Sequence, residues 1–370
     1  MRIIVTQPRG IGDVGARIWR GVEKADGRPD LNSAGLVDLQ VNGFAGVDFN
    51  AGPGLTAEAV DHALEAMLAT GVTTCLPTII TASDDMLGAR LTALDAALSG
   101  SRLGPAMCPG YHLEGPFLNP ADGYAGCHPA SAMGLPDYAR VERLEAGLAR
   151  PVLLLTLAPE LPGSEAFIQR ARAAGKLVAV GHSAAGPIEL RDAAAAGATL
   201  STHLGNGLPQ MLPKLDNTLM AQLAEERLVA CVIADGIHVP PHALKVMVRA
   251  KGPGCCVLVT DAVAAAASPP GQYPFAGMVV ERGSDGAVRV PGARLLAGSS
   301  LCLDEAIRNI VAWGVAAVDR AVAMATGDPM AILRPALAAH GLSQDAGEVT
   351  WSAALRVAAV RAPAASRVFE

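Results

Sequence analysis

Ionisable side chains recur directly after short apolar runs of this 370-residue chain. His112 and Glu114 end the run "MCPGYHLE", His182 ends "KLVAVGH", and His203 ends "ATLSTH". Asp261 follows "CCVLVT" in the same way. A glutamate and two imidazoles form a ligand set suited to Zn²⁺ or a similar divalent ion, with one position left for water. Glu114, His182 and His203 are therefore the candidate metal ligands.

Asp261 has a different predicted role. A bound divalent ion supplies a nucleophile by lowering the pKa of its water, and it can polarise a carbonyl group. An uncoordinated carboxylate beside that water can take its proton and pass it to the leaving group. Taken singly, each histidine reads more simply as a hydrogen-bonded rim residue, and Asp261 as a helix N-cap. Ionisable groups at the same end of five strands would all be desolvated, which favours a shared task. The residues alone predict metal-assisted hydrolysis of an unspecified substrate.

The apolar runs alternate with Ala/Leu-rich stretches of helical period, which is the pattern of repeated βα units and a parallel sheet. Eight runs are predicted as strands: "LVDLQV", "VTTCLPT", "MCPGYHL", "PVLLLTL", "KLVAVGH", "ATLSTHL", "LVACVIAD" and "CCVLVTD". Helices are predicted near residues 56–70, 83–98, 136–148, 163–174, 186–196, 216–225, 240–250 and 300–313. Eight such units indicate an α/β fold with a closed (β/α)8 TIM-like barrel, and an open doubly wound sheet is the alternative. In a barrel, the C-terminal strand ends would bring the scattered polar residues together.

Both ends of the chain fall outside this pattern. Residues 1–34 and 345–370 carry β-like pieces such as "RIIVT", "RIWRGV" and "ALRVAAVRA". We predict that they form a small β-sandwich domain beside a barrel over residues 35–344. The segment "FAGMVVERGSDGAVRVPGARLLAG" is predicted to be a hairpin that turns at "SDG".

The composition argues against several classes of protein. With 51% hydrophobic and 17% charged residues, the chain is expected to be ordered and globular. A net charge of −6 and scattered basic residues argue against a nucleic-acid partner. No apolar run resembles a signal peptide or a membrane span, which predicts a cytoplasmic protein without a membrane partner. The seven cysteines are expected to be reduced, and the adjacent Cys255 and Cys256 lack metal-ligand spacing.

Taken together, these segments resemble the amidohydrolase superfamily and, within it, the N-acetylglucosamine-6-phosphate deacetylase family. The resemblance rests on "HLEGPF", "GCHP", "GHS", "THLGN", "ADGIH", "TDA" and "LAGSS", which follow in consistent order over nearly the whole chain. It implies a barrel with a small β domain built from both chain ends and a homodimer. It also implies one divalent metal ion per subunit, with zinc expected and iron, cobalt or manganese as alternatives. The implied reaction hydrolyses the acetamide of a small-molecule substrate, N-acetylglucosamine 6-phosphate, to glucosamine 6-phosphate and acetate.

The resemblance also implies a role for each matching residue. Glu114, His182 and His203 would bind the metal, and Asp261 would act first as general base and then as general acid. Substrate contacts are expected from residues that follow the strands: Cys127, His128, Asn206, Gly207, Lys214, His238, Leu296, Ala297 and Gly298.

Two departures from the pattern bear on metal count and substrate. Gln40-Val41-Asn42 stands where many superfamily members carry a His-x-His pair for a second metal, and amide side chains are weak transition-metal ligands. A mononuclear site is therefore expected. Lys214 stands eleven residues after His203, where the family usually carries an arginine that reaches the sugar phosphate from the neighbouring subunit. Lysine pairs a phosphate without arginine's bidentate fork.

The weaker phosphate geometry of Lys214 leaves other functions open. The chain could act on an unphosphorylated or different N-acetyl hexosamine, or on a cyclic amide. A non-catalytic barrel that binds amino sugars is the alternative from another class.

Overall fold

The computed structural model describes residues 22–23, 29–293, 295–362 and 365–368. The strands are β1 (Val22–Glu23), β2 (Pro29–Ala34), β3 (Leu36–Val41), β4 (Gly43–Phe44), β5 (Val47–Asp48), β6 (Val72–Ile80), β7 (Tyr111–Glu114), β8 (Val152–Leu157), β9 (Leu177–Val180), β10 (Leu200–Ser201), β11 (Val229–Val232), β12 (Cys256–Leu258), β13 (Gly271–Phe275), β14 (Met278–Arg282), β15 (Val288–Arg289), β16 (Glu348–Trp351), β17 (Val357–Ala362) and β18 (Ala365–Val368). The helices are α1 (Ala57–Ala69), α2 (Asp84–Gly100), α3 (Gly104–Met107), α4 (Tyr138–Glu145), α5 (Ser164–Ala173), α6 (Pro187–Ala196), α7 (Thr218–Ala224), α8 (Pro241–Lys251), α9 (Leu303–Ala312), α10 (Val318–Ala323) and α11 (Gly327–Ala339).

Eight of these strands form one parallel sheet in the order β3, β6, β7, β8, β9, β10, β11 and β12. A parallel bridge from Val41 to Ala262, just beyond β12, brings the last strand back to the first. The sheet is therefore the predicted (β/α)8 barrel and not an open doubly wound sheet. Its ring order places β6 and β10 on opposite sides, four positions apart.

The barrel strands are buried on both faces. Every residue of β3 and β6 is buried, because side chains alternate between the barrel interior and the layer of helices outside it. The helices supply one apolar face each. In α1, for example, Thr56 caps the first turn by accepting a hydrogen bond from the Ala59 N–H, and Val60, Leu64 and Met67 are buried.

A second sheet combines both chain ends. It has the order β1, β2, β16, β17 and β18, and each neighbouring pair is antiparallel. This confirms a separate sheet built from both termini. The segment "RIIVT" and most of "RIWRGV" lie outside the described residues, and the domain limits at residues 34 and 345 stay a prediction.

The structure differs from the sequence prediction in three places. The third barrel strand begins at Tyr111, not Met107, because α3 occupies residues 104–107. The predicted hairpin is present as β14 and β15, and β13 pairs with β14 as an additional strand. Helices α10 and α11, which complete the barrel wall, are additional to the eight helices predicted from the sequence.

All seven cysteines lie in the described part of the chain and are free thiols. Within that part, no helix is both long enough and apolar enough to cross a membrane.

Candidate metal centre and catalytic site

The four predicted metal and catalytic residues lie at one end of the barrel. Glu114 is the last residue of β7, His182 and His203 follow β9 and β10, and Asp261 follows β12. His182, His203 and Asp261 have positive φ angles of 51°, 27° and 51°. The left-handed region is unfavourable for residues other than glycine, and such backbone strain is concentrated at functional sites.

Three side-chain atoms converge at the candidate metal centre. Glu114 Oε1 lies 3.0 Å from His203 Nε2 and 3.4 Å from His182 Nε2, and the two Nε2 atoms are 3.2 Å apart. Glu114, His182 and His203 are only 2%, 5% and 4% exposed. Two imidazole nitrogens and a carboxylate oxygen at these separations form a compact set of three donors for one ion.

The hydrogen bonds around His182 fix which nitrogen can act as a ligand. Its Nδ1 lies 2.6 Å from the main-chain oxygen of Tyr124. A carbonyl oxygen only accepts, so Nδ1 carries a proton, and Nε2 is the nitrogen left to coordinate a cation. Nε2 faces the Glu114 carboxylate oxygen and the Nε2 of His203. The donor set therefore fits a divalent ion, and Tyr124 supplies the outer contact that orients a ligating histidine.

Glu114 is held in its ionised form. Burial alone would raise its pKa, but the imidazoles of His182 and His203 outweigh burial and hold the pKa of Glu114 well below its usual range. The same contact with Glu114 raises the pKa of His203 against the effect of burial.

His128 competes with His203 for the third ligand position. Glu114, His128 and His182 also form a buried group whose potential ligand atoms all lie within 4.8 Å of one another. However, His128 Nε2 is 3.9 Å from Glu114 Oε2, farther than either of the other two imidazoles is from Oε1. Burial, reinforced by His182, lowers the pKa of His128 to about 3, so the ring is neutral. The distances favour His203 as the ligand and leave His128 beside the centre.

His112 belongs to the barrel interior. Its Nε2 lies 2.8 Å from Thr156 Oγ1 and its Nδ1 lies 3.4 Å from Thr78 Oγ1. Burial lowers its pKa to about 4. This histidine matches the simpler interpretation, a hydrogen-bonded core residue.

Asp261 faces amide groups in addition to the metal centre. Its Oδ1 accepts hydrogen bonds from Asn42 Nδ2 at 2.7 Å and from Gln40 Nε2 at 3.2 Å. Gln40 Nε2 also lies 3.1 Å from Glu114 Oε1, so one amide links the two carboxylates. Burial, and then the charge of Glu114, raises the pKa of Asp261 to about 6. A carboxylate with that pKa can exchange a proton near neutral pH.

Two of the predicted substrate residues are glycines that pack closely against residues of the centre. A Cβ on Gly207 would lie 2.7 Å from His182 Nδ1, and one on Gly298 would lie 2.3 Å from Val263 Cγ1. Both glycines have positive φ. The predicted contact residue Asn206 precedes Gly207 and donates from Nδ2 to the His203 oxygen at 3.0 Å.

The remaining predicted substrate residues lie in loops outside the barrel strands. Leu296, Ala297 and Gly298 lead into Ser299, whose N–H donates to the main-chain oxygen of Asp261 at 2.9 Å. His238 Nδ1 lies 2.6 Å from Asp235 Oδ2 in the turn after β11. Cys127 precedes His128 in the loop that follows β7. Lys214 is exposed in the loop between β10 and α7, and none of the contacts described above involves it.

Several supporting residues were not predicted from the sequence. Thr81 Oγ1 lies 2.9 Å from His128 Nδ1. Glu160 accepts from Ser183 Oγ at 2.7 Å, from the Ala184 N–H at 2.6 Å and from Asn119 Nδ2 at 2.9 Å, and so anchors the turn after His182. "HSAA" gives Ser183 a visible place in a motif, whereas nothing around Glu160 in "APELPG" signals its role.

The fold and these contacts define a barrel hydrolase with a candidate metal centre at the C-terminal strand ends. The model of the amidohydrolase family matches residues 32–358. The chain is 34% identical to N-acetylgalactosamine-6-phosphate deacetylase of Shewanella sp. (strain ANA-3), over 82% of this chain and 75% of that protein. It is 32% identical to human N-acetylglucosamine-6-phosphate deacetylase, over 84% of this chain and 76% of that protein.

A solved structure agrees with these relatives. The structure of a mutant N-acetyl-D-glucosamine-6-phosphate deacetylase from Mycobacterium smegmatis, in complex with N-acetyl-D-glucosamine-6-phosphate, matches with a TM-score of 0.81 and 27% identity. The match covers 92% of this chain and 87% of that chain. The chain belongs to the amidohydrolase family and, within it, to the N-acetylglucosamine-6-phosphate deacetylases and their relatives. The predicted resemblance and the prediction of a hydrolytic enzyme are confirmed.

Proposed function

We propose that this protein hydrolyses the N-acetyl group of N-acetylglucosamine 6-phosphate in a metal-dependent reaction that yields glucosamine 6-phosphate and acetate. The observation that carries the proposal is the convergence of Glu114, His182 and His203 on one point, with Asp261 linked to them through Gln40. A sugar-binding barrel without catalysis would have no use for a partly buried, uncoordinated carboxylate beside three metal-binding atoms.

Glu114, His182 and His203 would hold one divalent ion per subunit, with zinc expected and iron, cobalt or manganese as alternatives. Such an ion polarises an acyl carbonyl and lowers the pKa of a water molecule. A second ion is disfavoured because the amides of Gln40 and Asn42 already hydrogen-bond the carboxylates.

Two residues would move or direct protons in the reaction. Asp261 takes the proton of the attacking water and delivers it to the departing amine nitrogen. His128 holds the acyl oxygen. The contact of 2.9 Å between His128 Nδ1 and Thr81 Oγ1 holds the ring in place beside the centre.

The sugar would lie across the opening between β10 and β12. Asn206, Gly207 and His238 would contact it on one side, and Leu296, Ala297 and Gly298 on the other, with Cys127 beside His128. Lys214 would pair with the 6-phosphate as a point charge.

N-acetylgalactosamine 6-phosphate is the second candidate substrate. The observation that favours it is the 34% identity to the Shewanella deacetylase that is named for this sugar. The two sugars differ only in one epimeric hydroxyl, so the same acyl chemistry serves both.

We also propose a cytoplasmic homodimer that binds neither nucleic acid nor membranes. The free thiols suit a reducing compartment. Met211 and Leu215, which flank Lys214, are 87% and 74% exposed, and a second subunit would cover this apolar surface. Sedimentation of the purified protein should give twice the 37.7 kDa chain mass, and a monomer would refute the dimer.

Acetate release tests the substrate directly. Metal-loaded protein is given N-acetylglucosamine 6-phosphate, N-acetylgalactosamine 6-phosphate and unphosphorylated N-acetylglucosamine in parallel. We expect a phosphorylated sugar to be preferred by at least about tenfold, roughly one charge-assisted hydrogen bond. Lys214→Ala should reduce that preference and Lys214→Arg should keep it. Equal turnover of the unphosphorylated sugar would remove the phosphate from the proposal, and no acetate from any of them would refute the function.

A further inference from the structure

A cavity of about 630 Å³ opens at the end of β6, next to the candidate metal centre. Residues that line it include Ile80 and Thr81 at the end of β6, Cys127 and Ala132 in the loop after β7, and Met278 at the start of β14. None of these residues except Cys127 has a predicted role in binding the sugar or the metal.

Two lining residues connect the cavity to the centre. Thr81 Oγ1 lies 2.9 Å from His128 Nδ1 and 3.3 Å from the main-chain oxygen of Glu114. Cys127 also lines the cavity, and burial followed by the charges of Asp261 and Glu114 raises the pKa of its thiol to about 12. Because Cys127 directly precedes His128, this side of the cavity adjoins the residues of the centre.

The position of the cavity in the ring indicates which part of a substrate would enter it. Asn206 and Gly207 follow β10, on the opposite side of the barrel from β6, and His238 follows the next strand, β11. The acyl carbon of an amide is planar, so its three substituents diverge. With the oxygen at the metal centre and the sugar-bearing nitrogen towards β10 and β11, the third substituent points towards β6 and the cavity.

We propose that this cavity binds N-acyl groups longer than acetyl, and that the enzyme removes neutral acyl chains such as propionyl and butyryl from amino sugar 6-phosphates. The inference rests on the proposed function and extends it to the acyl side of the substrate. A methyl group fills little more space than a water molecule, whose share of liquid volume is about 30 Å³. The acetyl methyl would leave nearly all of the cavity free.

The charges in the cavity favour a neutral chain. Arg90 donates to the Ala276 oxygen at 2.8 Å and interacts electrostatically with the buried Asp48. Arg140 is paired with Asp84. Both guanidinium groups thus have an acidic neighbour, while Ile80 and Met278 add apolar surface. Arg140 is therefore not free to pair with a carboxylate-bearing chain such as succinyl, and Arg90 is already engaged by the Ala276 oxygen.

The chemistry is the same for every acyl chain. The water oxygen forms a bond to the acyl carbon and loses a proton to Asp261. The bond between that carbon and the nitrogen breaks, and the nitrogen receives the proton. The products are the amino sugar 6-phosphate and the carboxylic acid of the acyl chain, which becomes a carboxylate by giving its proton to the amine.

The test compares N-acetyl-, N-propionyl-, N-butyryl- and N-succinyl-glucosamine 6-phosphate with the metal-loaded full chain. We expect kcat/KM for propionyl and butyryl within about tenfold of acetyl, and succinyl below both. A pocket that only fits a methyl would lose on the order of 10- to 200-fold per added methylene. Hydrolysis of the N-acetyl substrate but not of the N-butyryl substrate would overturn this inference and leave the proposed function standing. Hydrolysis of none of the four substrates would overturn both.

Two variants test whether the chain occupies this cavity. Ala132→Phe and, independently, Ser131→Phe should lower the ratio of kcat/KM for butyryl to that for acetyl by about tenfold, because each ring fills part of the cavity. The matched control Ala132→Ser should leave the ratio unchanged. Because a ratio is independent of the folded fraction, an unaltered ratio in both phenylalanine variants would place the acyl chain elsewhere.

Discussion

The two carboxylates at the rim of the barrel, buried Glu114 and partly buried Asp261, have opposite environments. Glu114 lies among imidazoles, which hold its pKa well below the usual range. Asp261 faces the amides of Gln40 and Asn42, and burial followed by the charge of Glu114 raises its pKa to about 6. Pairs of acidic groups whose surroundings push their pKa values apart commonly divide the roles of fixed charge and proton carrier. The neighbours, more than the carboxylates themselves, assign the two roles.

Removal of the proton carrier should have the largest effect. Asp261→Asn keeps the size of the side chain and can still accept from Asn42, but it cannot take a proton from water. We expect kcat for N-acetylglucosamine 6-phosphate to fall by about 10³-fold, within the range of general acid–base catalysis. Assays of acetate release measure kcat, and calorimetry measures whether the variant still binds the sugar phosphate. A loss of less than about threefold in kcat would contradict the role of Asp261.

Removal of the fixed charge should act on the metal first. Glu114→Gln replaces an anionic ligand by a neutral amide, and we expect zinc affinity to fall by at least about 100-fold, more than outer-shell changes usually cause. Competition with a chromophoric chelator measures it. The matched control is Asp235→Asn, which alters a rim carboxylate paired with His238 and should leave zinc affinity unchanged. Equal zinc affinity in Glu114→Gln and wild type would assign the ligand role to another residue.

Another carboxylate, Asp38, sharpens the comparison because it is completely buried and has no imidazole partner. Asp38 accepts from Thr260 Oγ1 at 2.6 Å and from the Gln40 N–H at 3.3 Å, and burial raises its pKa to about 7. The folded chain therefore holds this proton more tightly than the unfolded chain, whose pKa is about 3.9. The stability contributed by protonated Asp38 is complete below about pH 4 and is lost as the pH rises through 7.

Asp38→Asn should remove this pH dependence. The amide can donate to Thr260 Oγ1, which in turn can donate to the Gln40 oxygen at 3.2 Å. In metal-free protein, the free energy of unfolding of the variant relative to wild type should increase by about 3 kcal/mol between pH 4.5 and pH 8. Denaturant titrations at both pH values measure this. If the free energies of unfolding of the variant and wild type changed equally between the two pH values, Asp38 would ionise normally in the folded chain.

The smallest effect is expected from the amides beside Asp261. Asn42→Ala removes the 2.7 Å hydrogen bond to Asp261 Oδ1 and frees that carboxylate to rotate. We expect kcat/KM to fall about tenfold with zinc content unchanged, as for other residues that position a reacting group. The matched variant Asn32→Ala lies in the terminal sheet and should keep full activity. A fall in zinc content in Asn42→Ala would mean that the amide supports the metal ligands instead.

Much of the barrel could be predicted from the sequence because its signals are local. The strand "LVDLQV" coincides with β3, and helix α6 lies within one residue of its predicted limits. Apolar runs and helical periods are properties of neighbouring residues. The candidate ligands also stand out, since Glu114, His182 and His203 are ionisable residues in otherwise apolar segments.

What could not be predicted depends on contacts between distant segments. The main-chain oxygen of Tyr124 sets the tautomer of His182, and any residue type could have supplied it. Thr81 reaches His128 only because β6 and the loop after β7 meet in space. The positive φ at His182 and Asp261 also leaves no usable local signal, since most histidines and aspartates have negative φ although both types are enriched among the exceptions.

The most direct test of the division between Glu114 and Asp261 measures zinc content and acetate release on the same preparations of wild type, Asp261→Asn and Glu114→Gln. After dialysis against a weak chelator, we expect Asp261→Asn to retain about one zinc per chain and to release almost no acetate. Glu114→Gln should lose both zinc and activity. If Asp261→Asn lost its zinc as Glu114→Gln does, Asp261 would be a metal ligand, and the separation of fixed charge from proton carrier would be wrong.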